Sequence, residues 1–341
     1  MQKIKLFLAK IKYYRAVIIL IILVSLIVAL IMGAILRAGS NKYPDQTVAR
    51  RWAKDGSFSH VSIFIKDTAY FTKESVDEFE YNLDNKLDYN SIEKNENGDK
   101  RYIISYMSKS SIYLESERKS VSVNCMAVGG DFFTFHPIKM VEGNYFSSSD
   151  LMHDGVILDK ATAWQLFGSS NVVGQQILFG DRVLFVKGVY EGPDDKIYNF
   201  ANGTEAMIFV PFELLDSEEV PLSITCLEVC MPNPIKNFAS KLVDEIITID
   251  ESSYERIENS SRFSVENLWS IYKSRKYRSM QNRDIIYPYW EKIARYEEDL
   301  LAPKAVVMCV GYIVSGVLFI TLILYEIAKH TKLKSTNDDL S

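Results

Sequence analysis

Sequence motifs for catalysis are missing from this chain of 341 residues. It has no G-x-S-x-G or H-E-x-x-H pattern, and no Lys-Ser/Thr pair follows Gly168 and Gly174 as a phosphate loop would require. Asp150, Asp154 and Asp159 could line a cation site, but acids in such positions more often serve turns and helix caps. Histidines are few and scattered in sequence, at His60, His136, His153 and His330. The sequence therefore predicts a protein that is not an enzyme, with no catalytic residue, cofactor or metal site.

The chain also has few cysteines and no excess of positive charge. Four cysteines are too few for a disulfide scaffold. Cys226 and Cys230 share a face of a predicted strand but lie about 13 Å apart, which is too far for a bridge. Buried free thiols are therefore expected, while a pairing of either residue with Cys125 stays open. The formal net charge of −5 argues against nucleic acid as a partner.

Two long apolar runs are the strongest positive feature. They cover Ala16–Leu36 and Ala305–Tyr325. Neither contains a charge, and each reaches the length of about 20 apolar residues that spans a bilayer as a helix. The alternative for the first run is a cleaved signal peptide, whose apolar core is usually about 7–15 residues long. Because this run is longer and lacks a small-x-small cleavage site, transmembrane helices are predicted at 16–36 and 305–325.

Charged residues near the two runs predict their orientation. No acid precedes the first run, whereas Glu297, Glu298 and Asp299 lie just before the second. The flanking basic residues are Lys3, Lys5, Lys10, Lys12 and Arg15 before the first run and Lys329, Lys332 and Lys334 after the second. Segments 1–15 and 326–341 are therefore expected in the cytoplasm, with residues 38–303 outside the cell membrane.

The segment between the runs begins with a β-α-β pattern. Phe58–Ile65 is rich in β-forming residues and is bounded by Gly56 and Asp67, which is typical of a strand. Apolar residues then recur at helical spacing over 73–90, and Tyr102–Met107 is a second predicted strand.

The same pattern returns near the end of this segment. Ile224–Met231 alternates like a strand, Pro234 is typical of a first helical turn, and Arg262–Leu268 is a plausible closing strand. The predicted apolar face of the helix comprises Ile235, Phe238, Leu242, Val243 and Ile246. Two such units, at 58–109 and 223–270, can form a split, ferredoxin-like subdomain of the porter type.

Residues 110–222 read as a mainly β insertion in that subdomain. One short helix interrupts it at Lys160–Phe167, with Asp159 as its N-cap and Gly168 after it. The predicted strands are Val121–Val128, Val156–Leu158, Gln176–Phe179, Val183–Val189 and Ala206–Val210.

A stalk helix is predicted at 280–303, continuous with the second membrane helix. Four aromatic residues on it, Tyr287, Tyr289, Trp290 and Tyr296, are expected mostly to pack in the core. The sequence thus predicts an α+β membrane protein, in which two transmembrane helices flank an ectodomain of a split β-α-β subdomain and its β insertion.

Residues 123–192 carry an ordered set of short motifs. They are VGGDFF, then EGNYF and SSSD, a VIL strand, the helix ending AWQLFG, VVGQQI, and a strand ending VKGVYEG. In this order they resemble the extracytoplasmic core domain of MacB/FtsX-type ABC-transporter permeases. The motif residues are expected to be structural, with glycines in turns or close approaches and aromatics in the core. They are Gly129, Gly130, Phe132, Phe133, Gly143, Tyr145, Trp164, Leu166, Phe167, Gly168, Gly174 and Gly188.

The resemblance implies a non-catalytic permease-like subunit whose ectodomain moves when a cytoplasmic ABC ATPase works. Such permeases usually have three spans after this domain, whereas one apolar run follows it here, so a two-span form completed by a second permease chain is expected. The alternative is a membrane-anchored sensor or adaptor that binds a peptide, lipid or protein outside the cell.

Small residues recur at four-residue spacing in both runs. They are Ser25, Ala29 and Gly33 in the first and Gly311 and Ser315 in the second. This spacing lets membrane helices approach closely, either against each other or against a partner permease.

Overall fold

The computed structural model describes residues 2–53, 57–92, 100–147, 149–192, 207–274 and 284–338, and their side chains from residue 14 to residue 327. The chain forms two compact units. A sheet unit comprises Tyr43–Arg262 and Ser279–Tyr296, and a helical unit comprises Met1–Lys42, Phe263–Arg278 and Glu297–Ser341.

The ten strands of the sheet unit's described residues belong to one sheet. In chain order they are β1 Phe58–Ile65, β2 Ile103–Glu115, β3 Ser120–Gly130, β4 Met140–Gly143, β5 Gly155–Asp159, β6 Gln176–Phe179, β7 Arg182–Tyr190, β8 Met207–Pro211, β9 Cys226–Pro232 and β10 Tyr254–Glu258. The main path runs β10-β1-β9-β2-β3-β8-β5-β7-β4, and β6 pairs with β2 and β7.

Helices lie in both units. In chain order they are α1 Gln2–Ser40, α2 Val48–Trp52, α3 Lys73–Tyr89, α4 Phe132–Phe135, α5 Lys160–Phe167, α6 Phe212–Leu215, α7 Phe238–Ile246, α8 Val265–Ser274 and α9 Tyr289–Asp338. Helix α9 is one continuous element that supplies residues to both units.

The two β-α-β units supply one four-stranded antiparallel part of the sheet. Strand β1 pairs with β10 and β9, and β9 pairs with β2. Helices α3 and α7 pack their apolar residues on one face of these strands. Helix α3 forms there because Thr72 and Ser75 make a reciprocal capping box and Val76, Phe79, Leu83 and Leu87 recur on one side.

The remaining strands continue the sheet from the β2–β3 hairpin. Strand β3 lies parallel to β8, and β5 lies parallel to β7. Asp159 accepts hydrogen bonds from the amides of Ala161 and Thr162, and Gly168 ends α5 in the left-handed region at φ 72°, so both predicted caps are confirmed. Gly130 also has positive φ, and a Cβ there would collide with the carbonyl of Ile104.

Two predictions for the second β-α-β unit are wrong. The closing strand is Tyr254–Glu258, whereas Arg262–Leu268 runs into α8, because Ser264 accepts from the amide of Asn267 at the start of that helix. Helix α7 begins at Phe238 and not at Pro234, which leaves Ile235 68% exposed. Strand β10 was not predicted because its sequence is charged. It is an edge strand, where polar residues are tolerated.

The long C-terminal helix also begins later than predicted. Residues 284–288 are not helical, and α9 starts at Tyr289, directly after Pro288. The predicted start at 280 lies outside the described residues. Tyr287, Tyr289 and Trp290 are buried as expected, whereas Tyr296 is 36% exposed.

The helical unit is built on the two apolar helices. By length and composition, Tyr14–Ser40 and Tyr289–Ile327 could each cross a membrane. Within this unit Leu268 of α8 packs with Leu301, Ala302 and Ala305 of α9, and Leu36 of α1 lies against them.

Candidate functional site

A buried carboxylate, Glu228, lies at the centre of the sheet unit. Its side chain on β9 is surrounded by groups that donate hydrogen bonds. Ser62 Oγ donates to its Oε1 at 2.6 Å, and His60 Nε2 lies 3.1 Å from the same oxygen. His136 Nε2 donates to its Oε2. The carboxylate is 1% exposed, so these partners replace water.

The sheet register brings Glu228, Ser62 and His60 together. Ser62 on β1 lies directly opposite Glu228 on β9. His60 is two residues before Ser62 and therefore shares its face of the strand. His60 Nδ1 is buried with no hydrogen-bond partner, so the ring proton that faces Glu228 is on Nε2.

His136 joins the sheet to the segment that follows α1. Its ring comes just after α4, and its Nδ1 lies 2.7 Å from Oδ1 of Asp45, in a 3-10 turn at Pro44–Gln46. Because a carboxylate accepts at each ring nitrogen, both nitrogens must donate, and His136 is an imidazolium. The indole of Trp290 on α9 stacks on this ring at 3.8 Å between centroids.

Electrostatics agree with a charged pair. Burial alone would lower the pKa of His136, but the negative charge of Glu228 and the hydrogen bonds to Asp45 and Glu228 raise it to about 9. Burial would raise the pKa of Glu228, but the charge of His136 and the hydrogen bonds from His136 and His60 hold it well below its usual value.

The network continues to the first turns of α9. Asn259 Nδ2 donates to Ser62 Oγ at 2.7 Å, and Asn259 Oδ1 accepts from Arg262 at 3.2 Å. Arg262 makes a two-pronged pair with Glu291, at 2.6 and 2.8 Å, and both side chains are at most 2% exposed.

Arg295 and Tyr287 complete the network. Arg295 Nε donates to Glu291 at 2.6 Å, and its guanidinium also pairs with Glu255 on β10. Tyr287 donates to the same Glu255, and its ring lies 4.1 Å from the Arg295 guanidinium carbon. Burial lowers the pKa of Arg295, but Glu291 and Glu255 more than reverse this and raise it. The charges alternate in sign along the network, so each buried ion has a partner.

This buried polar network was not predicted from the sequence. It comprises Asp45, His60, Ser62, His136, Glu228, Glu255, Asn259, Arg262, Tyr287, Glu291 and Arg295. His60 and His136 are far apart in the sequence and were not predicted to cluster, yet both contact Glu228. One sequence feature could have found it, because Glu228 interrupts the otherwise apolar strand CLEVCMP.

A second site lies in the helical unit, where α1 and α9 pack. Ser25 Oγ and Ser315 Oγ are 2.6 Å apart. A Cβ added to Gly311 would lie 2.9 Å from the carbonyl of Ser25 and 3.0 Å from Ala29 Cβ. One added to Gly33 would be 3.4 Å from Met308 Sδ. The structure thus brings all five helix-packing candidates to one helix–helix contact.

The motif residues of the insertion fall into two groups. Phe132 and Leu166 are buried, and Phe133 stacks on Tyr145 with ring centroids 4.4 Å apart. Tyr145, however, is 40% exposed, so its predicted place in the core is wrong. The same holds for Trp164, which is 56% exposed. It lies on the solvent side of α5, whose packed residues are Thr162, Ala163 and Leu166.

The remaining glycines of the motifs are placed as follows. Three of them lie too close to a neighbour for a Cβ. A Cβ on Gly129 would collide with the ring of Tyr106, and a Cβ on Gly143 would collide with the carbonyl of Lys187. A Cβ on Gly188 would collide with the side chain of Met140. Gly174 turns at φ 83° in open space. Phe167 is half-buried against the core.

Acids and cysteines outside the network have ordinary structural roles. Asp150 accepts from the amide of Ser147, as a turn residue does. Among the described residues no group of three His, Cys, Asp or Glu side chains could hold a metal ion. Cys125, Cys226 and Cys230 are buried free thiols, and burial raises the pKa of Cys125 and of Cys230 to about 12.

Two helices that could cross a membrane flank a mixed α/β sheet unit, which is the arrangement of a membrane-anchored extracytoplasmic domain. The sequence matches the family described as MacB-like periplasmic core domain over residues 16–230, which is more than half of the chain. The chain belongs to this family, whose members are ABC-transporter permeases.

A curated relative is the macrolide export ATP-binding/permease protein MacB of Pasteurella multocida (strain Pm70). It is 23% identical over 158 residues, and the match covers 44% of this chain. The chain spans only 23% of the length of that relative.

Two solved structures are similar to this chain. The periplasmic region of MacB from Actinobacillus actinomycetemcomitans is 16% identical, with 64% of this chain and 94% of that chain covered and a TM-score of 0.43. The extracellular domain of the ABC-type transporter YknZ from Gram-positive bacteria is 15% identical, with 58% and 99% covered and a TM-score of 0.39.

Proposed function

We propose that this chain is a non-catalytic permease-like subunit of an ABC-type transport or mechanotransmission complex. The buried polar network is the observation that carries this proposal. It joins Asp45, in the short turn after α1, and Glu291 and Arg295, on the first turns of α9, to Glu228 and Glu255 in one sheet. Both segments that connect the sheet unit to the apolar helices are therefore fixed to its strands.

The chemistry of the network suits a mechanical link. A charge-assisted hydrogen bond is directional and is roughly twice as strong as a neutral one. Slippage of α9 against the sheet would leave Arg262 or Glu291 charged and unpaired in a dry environment, which costs several kcal/mol. Movement of the helix ends should therefore move the strands with them.

The fold around the network supports a moving domain of the porter type. The antiparallel order β10-β1-β9-β2, with α3 and α7 on one face, supports assigning these elements to a ferredoxin-like subdomain. The strands from β3 to β8 would then be its insertion.

The proposed setting is the cell membrane of a bacterium. Both termini would be cytoplasmic, as the basic residues at 1–15 and 329–334 favour, and the sheet unit would be outside. The proposed partners are a cytoplasmic ABC ATPase, a second permease chain, and a peptide, lipid or protein ligand outside the cell.

Co-purification of the tagged full chain from its native membranes tests this function. An ATPase and a second membrane chain should be recovered with it, and ATP should change the distance between dyes on exposed sites of the sheet unit and the helical unit. Glu228→Gln should preserve the assembly but reduce this change, whereas Glu251→Gln, an exposed control, should leave it intact. Recovery as a lone chain with no ATPase would contradict the proposal.

A second candidate function is a membrane-anchored sensor or adaptor. An open polar cavity of about 800 Å³ favours it, between the β2–β3 turn and the loop after α5, with Glu117, Arg118, Asn171 and Gln175 in its lining. Its volume is within the range of small-molecule sites. Genes next to this one discriminate the two, since a histidine kinase or wall hydrolase without an ATPase would support sensing.

A further inference from the structure

An apolar groove opens between α1 and α9 in the helical unit, at the ends that carry the chain termini. Its volume is about 290 Å³. It is lined by Tyr14, Arg15, Ile18, Leu318, Thr321, Leu322 and Tyr325. Apart from Arg15 and the hydroxyl groups, this lining offers only hydrocarbon and aromatic surface.

The polar end of the groove is marked by residues typical of a membrane interface. Tyr14 and Tyr325 lie there, and tyrosine is enriched where a helix leaves the hydrocarbon core. Arg15 at the same end pairs with Glu326 of α9. The groove therefore runs from a charged rim into an apolar interior, as a phospholipid does.

The charge near this rim is strongly positive. Residues 1–15 contain five basic residues and no acid, and Lys329, Lys332 and Lys334 follow α9's apolar stretch. Basic pockets between membrane helices attract anionic headgroups, and each Lys or Arg near the surface adds to this attraction. A partner helix would need acidic residues at the same level to satisfy this charge.

We infer that this groove binds one anionic phospholipid, with an acyl chain along Ile18, Leu318 and Leu322 and the phosphate beside Arg15. The inference depends on the helix pair lying in a membrane and not on coupling to an ATPase. Glu326 competes with the phosphate for the Arg15 guanidinium, because both are anions within reach of it. The ion pair thus sets the affinity for the lipid.

Because of this competition, removing Arg15 and removing Glu326 should change the preference for an anionic lipid in opposite directions. The full chain in detergent is mixed with equal amounts of phosphatidylglycerol and phosphatidylcholine of the same acyl chains, and retained lipid is measured by native mass spectrometry. Phosphatidylglycerol should be preferred. Arg15→Gln should reduce the preference about fivefold, the effect of one basic residue at an anionic surface, and Glu326→Gln should increase it.

The matched control is Arg37→Gln, which removes the same charge from the opposite end of α1 and should leave the preference unchanged. Leu318→Trp should fill the groove and reduce retention of both lipids. Equal retention of the two lipids, an equal loss with Arg37→Gln, or a decrease with Glu326→Gln would overturn the inference. So would a crosslink from Ile18→Cys to another membrane protein with no lipid retained.

Discussion

The two units hold their helices by opposite chemistry. In the sheet unit, α9 is fixed through buried ions, because Arg262 and Arg295 each donate to Glu291 at 2.6–2.8 Å. In the helical unit, α9 meets α1 through small residues, and Gly311 leaves no room for a Cβ. The first contact depends on charge and direction, and the second depends on backbone proximity.

This difference follows from what each surface contacts when it is not packed. An ion that leaves the network remains in a dry protein interior and keeps its full desolvation cost. A helix that leaves its partner in a membrane is covered by lipid, which is as apolar as the helix itself, so only close packing is lost. Substitutions in the network should therefore be much more damaging than substitutions in the helix pair.

The largest effect is expected from Glu228→Ala in the sheet unit. It leaves the His136 imidazolium without the carboxylate at its Nε2 and removes the acceptor of Ser62 and His60. Loss of one partner of a buried pair costs about 3–5 kcal/mol of unfolding free energy. Urea unfolding of the sheet unit in the detergent-solubilised full chain measures this, with the exposed Glu251→Ala as control. A loss of unfolding free energy no larger than that of the control would show that the network does not stabilise the sheet unit.

The network was harder to predict than the strands that hold it. Strands β1 and β9 and helices α3 and α5 follow from local periodicity and caps, which a sequence displays directly. Asp45, His136, Glu228 and Glu291 come from four distant segments. Hydrogen bonds between these segments join them into one network, and no local sequence pattern predicts which distant segments pack together.

For the helix pair, the contacting residues could be predicted from the sequence, but the partner of each helix could not. Its five small residues were predicted because their four-residue spacing lies within each run. Their partners were not fixed, since spacing alone does not distinguish α1–α9 pairing from packing against another chain. The β10 strand was missed because Glu255, Arg256 and Glu258 replace the apolar alternation that identifies a strand.

A second large effect concerns pH and separates the network from the helix pair. The pKa of His136 is raised from 6.5 to about 9, so its stabilisation is complete below about pH 6.5 and is lost as the pH rises through about 9. The lowered pKa of Glu228 gives stabilisation above its ordinary value of 4.5 that is lost in stronger acid. The unfolding free energy should therefore fall by a few kcal/mol between about pH 6.5 and pH 9.

Thermal unfolding of the sheet unit across pH 5–10 measures this dependence. His136→Gln should reduce overall stability and flatten the alkaline decline, because the titrating group is removed. His153→Gln is the matched control, since His153 is outside the network and lies 3.6 Å from Glu213. An unchanged alkaline decline in His136→Gln would show that another group causes it.

A smaller effect is expected from Gly311→Leu in the helical unit. The new side chain would press on the Ser25 carbonyl and Ala29, and overpacking of this kind costs about 1–3 kcal/mol. Oxidative crosslinking between Ser25→Cys and Ser315→Cys reports the helix contact, because the two Oγ atoms are 2.6 Å apart. Gly316→Leu is the control, since nothing lies within 4 Å of a Cβ there. Equal crosslinking in both leucine variants would mean that proximity at Gly311 does not hold the pair.

The smallest effect is expected from the hydroxyl contact between Ser25 and Ser315 in the helix pair. Each hydroxyl also bonds within its own helix, Ser25 to the Ile22 carbonyl at 3.1 Å and Ser315 to the Gly311 carbonyl at 2.8 Å, so neither loses every partner when the other is removed. A double-mutant cycle with Ser25→Ala and Ser315→Ala, measured by SDS-titrated unfolding, should give a coupling energy of about 0.6 kcal/mol, the average for such bonds in membranes. A coupling energy as large as the Glu228→Ala effect would erase the contrast between the two units, because a hydroxyl pair between membrane helices would then stabilise α9 as much as the buried ions do.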